Sequence, residues 1–210
     1  MDEFHQILQR AAVIPVVTLD RAEHALPLAR TLLDAGLDVL ELTLRTPAAL
    51  EALALIAEAL PGVTVGVGTV LDPRQLQAAR VAGARFAVSP GLDPRLIHAA
   101  RSFDIPLLPG VMTPSEAMQA RALGCDLLKL FPADVAGGIA WLRAVAPVLP
   151  ALAFCPTGGV DAANCAAYLA EPNVLCVGGS WVAPRRLIAA ADWAAIGRLA
   201  AQAATRRMSR

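Results

Sequence analysis

Eight short runs of aliphatic and β-branched residues recur along the chain, each followed by a stretch of helical character. They are VIPVV (13–17), DVLELTL (38–44), VTVGVG (63–68), RFAVS (85–89), IPLLPG (105–110), DLLKLF (126–131), ALAFCPT (151–157) and VLCVGG (174–179). Strands separated by helices pair in parallel, because the crossover returns the chain to the same end of the sheet. Eight such units predict a (β/α)8 TIM barrel with an N-terminal helix, built as a single domain over residues 1–210. A doubly wound open sheet is the rival fold, but no G-x-G-x-x-G follows the first run to support it. With 56% hydrophobic and 17% charged residues, the chain can bury a large core and is not disordered.

The intervening segments carry start and stop signals. In TPAALEALALIAEAL (46–60), Thr46 reads as the N-cap and Pro47 as the first helical residue. DPRQLQAARVAG (72–83), DPRLIHAA (93–100) and TPSEAMQARALG (113–124) open in the same way, and TPSE is a capping box. Gly83 and Gly124 read as helix stops. Phe4, Ile7, Leu8 and Ala11 fall at helical spacing, which predicts an amphipathic helix at the start.

Several function classes are excluded. Formal net charge is +0 and the arginines are dispersed, so neither a nucleic-acid surface nor a polybasic membrane patch is indicated. No basic n-region with an apolar h-region opens the chain, and no proline-free apolar run reaches ~18 residues. The expectation is a cytoplasmic protein. Cys125, Cys155, Cys165 and Cys176 form no C-x-x-C pair and have no histidine at ligand spacing, so they read as buried thiols, with no metal. His5, His24 and His98 fall in helical segments and read as surface residues.

In a barrel of this kind the chemistry collects where strands run into the loops before helices. Alternation in LELTLRT places Glu41, Thr43 and Arg45 on one face and Leu40, Leu42 and Leu44 on the other, which must pack on helices. Glu41 then suits proton transfer and Arg45 suits an anionic substrate group; an internal ion-pair layer is the bland alternative. The sixth run places Leu127, Lys129 and Phe131 on one face. Of eighteen basic residues only Lys129 is a lysine. Arginine can replace a structural cation, but it cannot become a neutral nucleophile, whereas an apolar site favours the uncharged amine of lysine. The last two runs end in Thr157-Gly158-Gly159 and Gly178-Gly179-Ser180, each before a helix, as a phosphate cradle requires. Thr69 can donate or accept a hydrogen bond at the mouth.

The motifs ELTLRT, GVGTV, SPGL, PLLPG, KLFPAD, CPTGGV and VGGSW, in this order and spacing, resemble those of the 2-keto-3-deoxy-6-phosphogluconate (KDPG)/4-hydroxy-2-oxoglutarate aldolases, over about residues 10–185. The resemblance implies a cofactor-free class I aldolase on a (β/α)8 barrel, usually a homotrimer. Its substrate would be a phosphorylated 2-keto-3-deoxy sugar acid, cleaved to pyruvate and glyceraldehyde 3-phosphate, with 4-hydroxy-2-oxoglutarate as a further substrate. By that resemblance Lys129 is the Schiff-base lysine and Glu41 the general acid/base. Arg45 and Thr69 hold the pyruvyl carboxylate, Phe131 walls the lysine pocket, and Thr157 contacts substrate hydroxyls. Gly158, Gly159, Gly179 and Ser180 cradle the phosphate. Leu130 departs from the commonest pattern, which has Phe there; alternation points it away from Lys129. PTGG and GGSW resemble gluconate-type loops more than galactonate-type ones. A phosphosugar isomerase or synthase barrel and a non-catalytic sugar-phosphate-binding protein remain the alternatives.

Overall fold

The computed structural model describes residues 3–207; of the 1–210 span, residues 1, 2 and 208–210 lie outside the described residues. Helix α1 (Glu3–Ala11) precedes strand β1 (Val13–Val17), and strands and helices then alternate: α2 (Ala25–Asp34), β2 (Val39–Thr43), α3 (Ala49–Ala59), β3 (Thr64–Gly68), α4 (Pro73–Val81), β4 (Ala87–Val88) and α5 (Pro94–Ser102). Next come β5 (Leu107–Leu108), β6 (Gly110–Val111), α6 (Pro114–Ala122), β7 (Leu127–Leu130), α7 (Gly138–Val145), β8 (Ala153–Pro156), α8 (Cys165–Leu169), β9 (Val177–Gly179), α9 (Arg185–Ala189) and α10 (Trp193–Ala204).

All strand pairs are parallel. They form a six-stranded sheet, β5-β4-β3-β2-β1-β9, and a three-stranded sheet, β6-β7-β8. The fifth predicted run is therefore split. Pro109 has no N–H for the ladder and separates β5 from β6, although its carbonyl still accepts the Lys129 N–H at 2.9 Å. Between β8 and the segment leading into β9, only the isolated bridges Phe154↔Val174 and Thr157↔Gly178 form. The fold is thus a curled parallel α/β sheet with a companion three-stranded sheet.

Each face of the strands has its own core. Leu40 and Leu42 of β2, Val65 and Val67 of β3 and Leu128 and Leu130 of β7 pack in one cluster with Leu28, Leu32, Leu53 and Ile56 of α2 and α3. Burying such a side chain contributes about 1.5–3 kcal/mol, so this layer fixes which face of each strand meets the helices. The other face holds a smaller cluster: Ile14, Val39, Phe86, Val88, Leu108, Leu127, Cys155 and Cys176 meet Leu8 and Ala11 of α1. The Phe4 ring lies 5.7 Å from that of Phe86. Helix α1 therefore seals the inner face with apolar side chains.

The predicted caps form at three helices. The Asp72 carboxylate accepts the N–H groups of Arg74 and Gln75, Asp93 accepts that of Arg95, and Thr113 and Glu116 form the capping box. Gly83 (φ +98°) and Gly124 (φ +77°) follow the ends of α4 and α6 in left-handed conformations. The start of α3 differs from the expectation. Its N-cap is Ala48, because the Thr46 hydroxyl donates to the carbonyl of Leu19 instead and ties the β2 loop to the β1 loop. No helix among the described residues is long and apolar enough to cross a membrane.

Candidate active site

Glu41 and Lys129 come from strands in different sheets, and their side chains meet on the inner face. Lys129 Nζ lies 3.9 Å from Glu41 Oε1, and the two side chains are 5% and 6% exposed. That separation permits strong Coulombic attraction but exceeds a hydrogen bond. Among the described residues, Glu41 Oε1 has no hydrogen-bond donor. A buried carboxylate oxygen without a partner is costly, which marks this atom as one that a reacting group is expected to satisfy. Below the pair, Leu127 and Cys155 belong to the apolar inner cluster. Beside it, Lys129 Nζ lies 4.8 Å from the Phe131 ring centroid, a cation–π contact when protonated and a dry wall when neutral.

Strand β3 makes the room. Its valines face the helices, so Gly66 and Gly68 face inward. A Cβ at Gly68 would lie 1.8 Å from Glu41 Oε1, and one at Gly66 would lie 2.3 Å from the Phe86 ring. The next residue, Thr69, is half-buried with φ 60°, a conformation that costs a non-glycine residue about 1 kcal/mol or more. At the adjoining strand ends, the Thr18 and Thr43 hydroxyls lie 2.8 Å apart and Thr43 donates to the Val17 carbonyl.

A pocket of about 480 Å³ opens at the C-terminal ends of the strands. It brings together Arg45, Phe131, Thr157, Gly158, Gly159, Gly179 and Ser180 of the predicted set. Lys129, Glu41 and Thr69 are not in its lining; Phe131, which touches Lys129, connects the two regions. The lining contains two arginines, Arg45 and Arg185, and no carboxylate. A second cavity of about 400 Å³ lies near α1 at the opposite strand ends and includes none of the predicted residues.

Gly158 (φ +92°) and Gly159 (φ +77°) require glycine, and a Cβ on Gly159 would also strike the Asp134 carboxylate at 2.3 Å. Asn164 holds this loop by donating Nδ2 to the Gly159 carbonyl at 2.8 Å. Thr157 is buried, its Oγ1 directed at Gly178, where a Cβ would lie 2.4 Å away. The N–H groups of Gly159 and Ser180 find no acceptor among the described residues. The helices expected directly after the two loops begin later, at Cys165 and Arg185. Asp161 and Asn164 form a turn before the first and Pro184 precedes the second, so the anion-binding capacity here belongs to loop N–H groups.

Sequence reasoning did not single out Gly66, Gly68, Thr18 or Arg185. The signal for the glycines was present: in TVGVG they occupy alternate positions, hence one face. Arg185 had none, because Asp20, which holds its side chain, lies 165 residues away in sequence. All four cysteines are free, and no three His, Cys, Asp or Glu side chains cluster as metal ligands among the described residues.

These features can be set beside known proteins. The family model for KDPG and KHG aldolase matches residues 4–199. A 2-dehydro-3-deoxy-phosphogluconate aldolase of Pseudomonas aeruginosa is 46% identical over 95% of this chain and 91% of its own. The KHG/KDPG aldolase of Escherichia coli strain K12 is 45% identical over 94% and 92%. A crystal structure of KDPG aldolase from Legionella pneumophila, with pyruvate captured as a covalent carbinolamine intermediate, superposes with a TM-score of 0.92 at 44% identity, covering 95% of this chain and 97% of that one. The buried lysine–carboxylate pair below a glycine-lined mouth thus occurs in a chain that belongs to the KDPG and KHG aldolase family.

Proposed function

We propose that this enzyme is a class I aldolase that reversibly cleaves KDPG to pyruvate and glyceraldehyde 3-phosphate. The observation that carries the reading is the chain's only lysine, buried 3.9 Å from a carboxylate oxygen that accepts no hydrogen bond among the described residues. The neutral Lys129 amine adds to the C2 ketone to give a carbinolamine, and loss of water gives an iminium. Glu41 moves the protons of both steps. The Glu41 carboxylate next takes the proton of the C4 hydroxyl, and the C3–C4 bond breaks with its electrons passing to the iminium. Glyceraldehyde 3-phosphate leaves, the enamine is reprotonated at C3, and hydrolysis releases pyruvate and the amine. The Legionella relative, trapped with pyruvate as a carbinolamine, supports the first step.

The other residues serve binding. Arg45 and Thr69 hold the pyruvyl carboxylate, Phe131 keeps the amine dry, Thr157 meets substrate hydroxyls, and Gly158, Gly159, Gly179 and Ser180 cradle the phosphate. Phosphate held far from the breaking bond contributes orientation. The sheets complete one eight-stranded barrel over the whole chain, a reading supported by the bridges between β8 and β9 and by the continuity of β5 and β6 through Pro109. The family resemblance supports a homotrimer that needs no cofactor. 4-Hydroxy-2-oxoglutarate is a second substrate on this reading, in keeping with the name of the Escherichia coli relative.

The test is pyruvate release from KDPG, coupled to lactate dehydrogenase, with and without a strong chelator. Turnover unaffected by chelator is expected. Isomerisation without pyruvate release, or loss of activity restored by a divalent metal, would refute the class I assignment.

A further inference from the structure

The pocket assigned to phosphate holds a cation that its glycine loops do not require. Arg185 lines it, while the adjacent Arg186 does not. The Arg185 side chain is anchored by Asp20, in the loop after β1: Nε donates to Oδ2 at 2.7 Å and Nη2 to Oδ1 at 2.5 Å. These two bonds use two of the five guanidinium donors and leave three for a further anion. The Arg185 and Asp20 side chains are 65% and 41% exposed. An exposed ion pair contributes little net stability, so Asp20 steers the guanidinium without locking it. The Asp20 carboxyl, hydrogen-bonded by Arg185, titrates below its ordinary range and stays charged at neutral pH. A carboxylate at the rim of a phosphate pocket opposes the incoming anion, whereas the arginine attracts it.

We infer that Arg185 is a phosphate-recognition residue whose guanidinium, presented by Asp20, engages the substrate's dianionic phosphate and sets the preference for phosphorylated over unphosphorylated 2-keto-3-deoxy acids. The inference rests on the reading of this pocket as the phosphate site. Arginine suits the task because its planar fork delivers paired, charge-assisted hydrogen bonds to phosphate oxygens. On binding, the phosphate takes the free donors first and competes with Asp20 for the others.

The experiment compares kcat/KM on KDPG with that on 2-keto-3-deoxygluconate, which lacks the phosphate. In Arg185→Gln the value for KDPG falls about tenfold, as expected for a lost charge-assisted contact, while the unphosphorylated acid is turned over as by the parent enzyme. Equal losses on both substrates in Arg185→Gln, or no loss, overturn the proposal. Should Arg185→Gln not fold, Arg185→Lys decides: it keeps the charge but loses the paired donors, and a ratio of kcat/KM for the two acids equal to the parent's overturns the proposal. A parent enzyme that handles both acids equally well refutes the phosphate site itself, and the proposal with it.

Discussion

Gly68→Ala isolates the placement of Glu41 from its chemistry. Gly68 does not adopt a left-handed φ, so alanine fits the backbone and removes some freedom from the unfolded chain. What opposes the change is the carboxylate: the new Cβ would sit 1.8 Å from Glu41 Oε1 and 2.6 Å from Cδ. To restore ordinary contact, Oε1 must retreat by about 1.6 Å. It is the same oxygen that faces Lys129 at 3.9 Å. A misplacement of about 1 Å at a reacting group costs ~10²-fold in rate, and overpacking a buried site costs about 1–3 kcal/mol. The coupled pyruvate assay should therefore show kcat/KM on KDPG lower by about 100-fold, with a folded protein of reduced Tm. Gly62→Ala is the control, since nothing lies within 4 Å of its Cβ and its φ is ordinary; it should keep full activity. A Gly68→Ala enzyme with near-parental kcat/KM would refute the claim that the position of the Glu41 carboxylate limits turnover.

Glu41→Gln preserves shape and removes the proposed proton acceptor, so kcat should fall by about 10²–10⁴-fold while the protein stays folded. Thr113→Ala breaks the α6 capping box and should cost about 1 kcal/mol, or roughly 2–4 °C in Tm. Burial of Glu116 works to raise its carboxyl pKa, but the N–H groups of Met112 and Thr113 and the Thr113 hydroxyl outweigh it and lower the value. The stabilisation this carboxylate supplies is thus complete above the ordinary carboxylate range and disappears as pH falls through the lowered value. Denaturation midpoints of parent and Glu116→Gln should converge there, because the protonated carboxyl matches the amide in charge; a constant gap down to the most acid pH would contradict it. Burial pushes the Cys125 thiol up, so timed alkylation at pH 8 should be slower than for a free cysteine, and equal rates would refute that.

The features legible in the sequence are those fixed by local rules. Alternation in LELTLRT places Glu41 opposite Leu40 and Leu42 whatever the rest of the chain does, and Asp72, Asp93 and Thr113 cap helices by contacts within three residues. Lys129 stands out because arginine fills every other basic position. The misses have physical causes of longer range. Thr46 forms no cap because its hydroxyl finds the Leu19 carbonyl, 27 residues away in sequence. Pro109 was visible, but whether it ends a strand or merely interrupts one depends on which neighbour needs its missing N–H. Gly66 and Gly68 lie within a predicted strand, and what they make room for, Phe86 and Glu41, comes from other segments of the chain. The Asp20–Arg185 pair joins the first strand's loop to the last strand's loop, which no local pattern encodes.

The proposed mechanism passes through one amine. Borohydride reduction of the enzyme with pyruvate, followed by intact-mass and peptide analysis, tests it most directly, because Lys129 is the only side-chain amine in the chain. One adduct of pyruvate mass on the peptide holding Lys129 is expected, and none in an inactive Lys129→Arg variant. A fully active enzyme that yields no adduct, or yields it only at the α-amine, would contradict the Schiff-base mechanism.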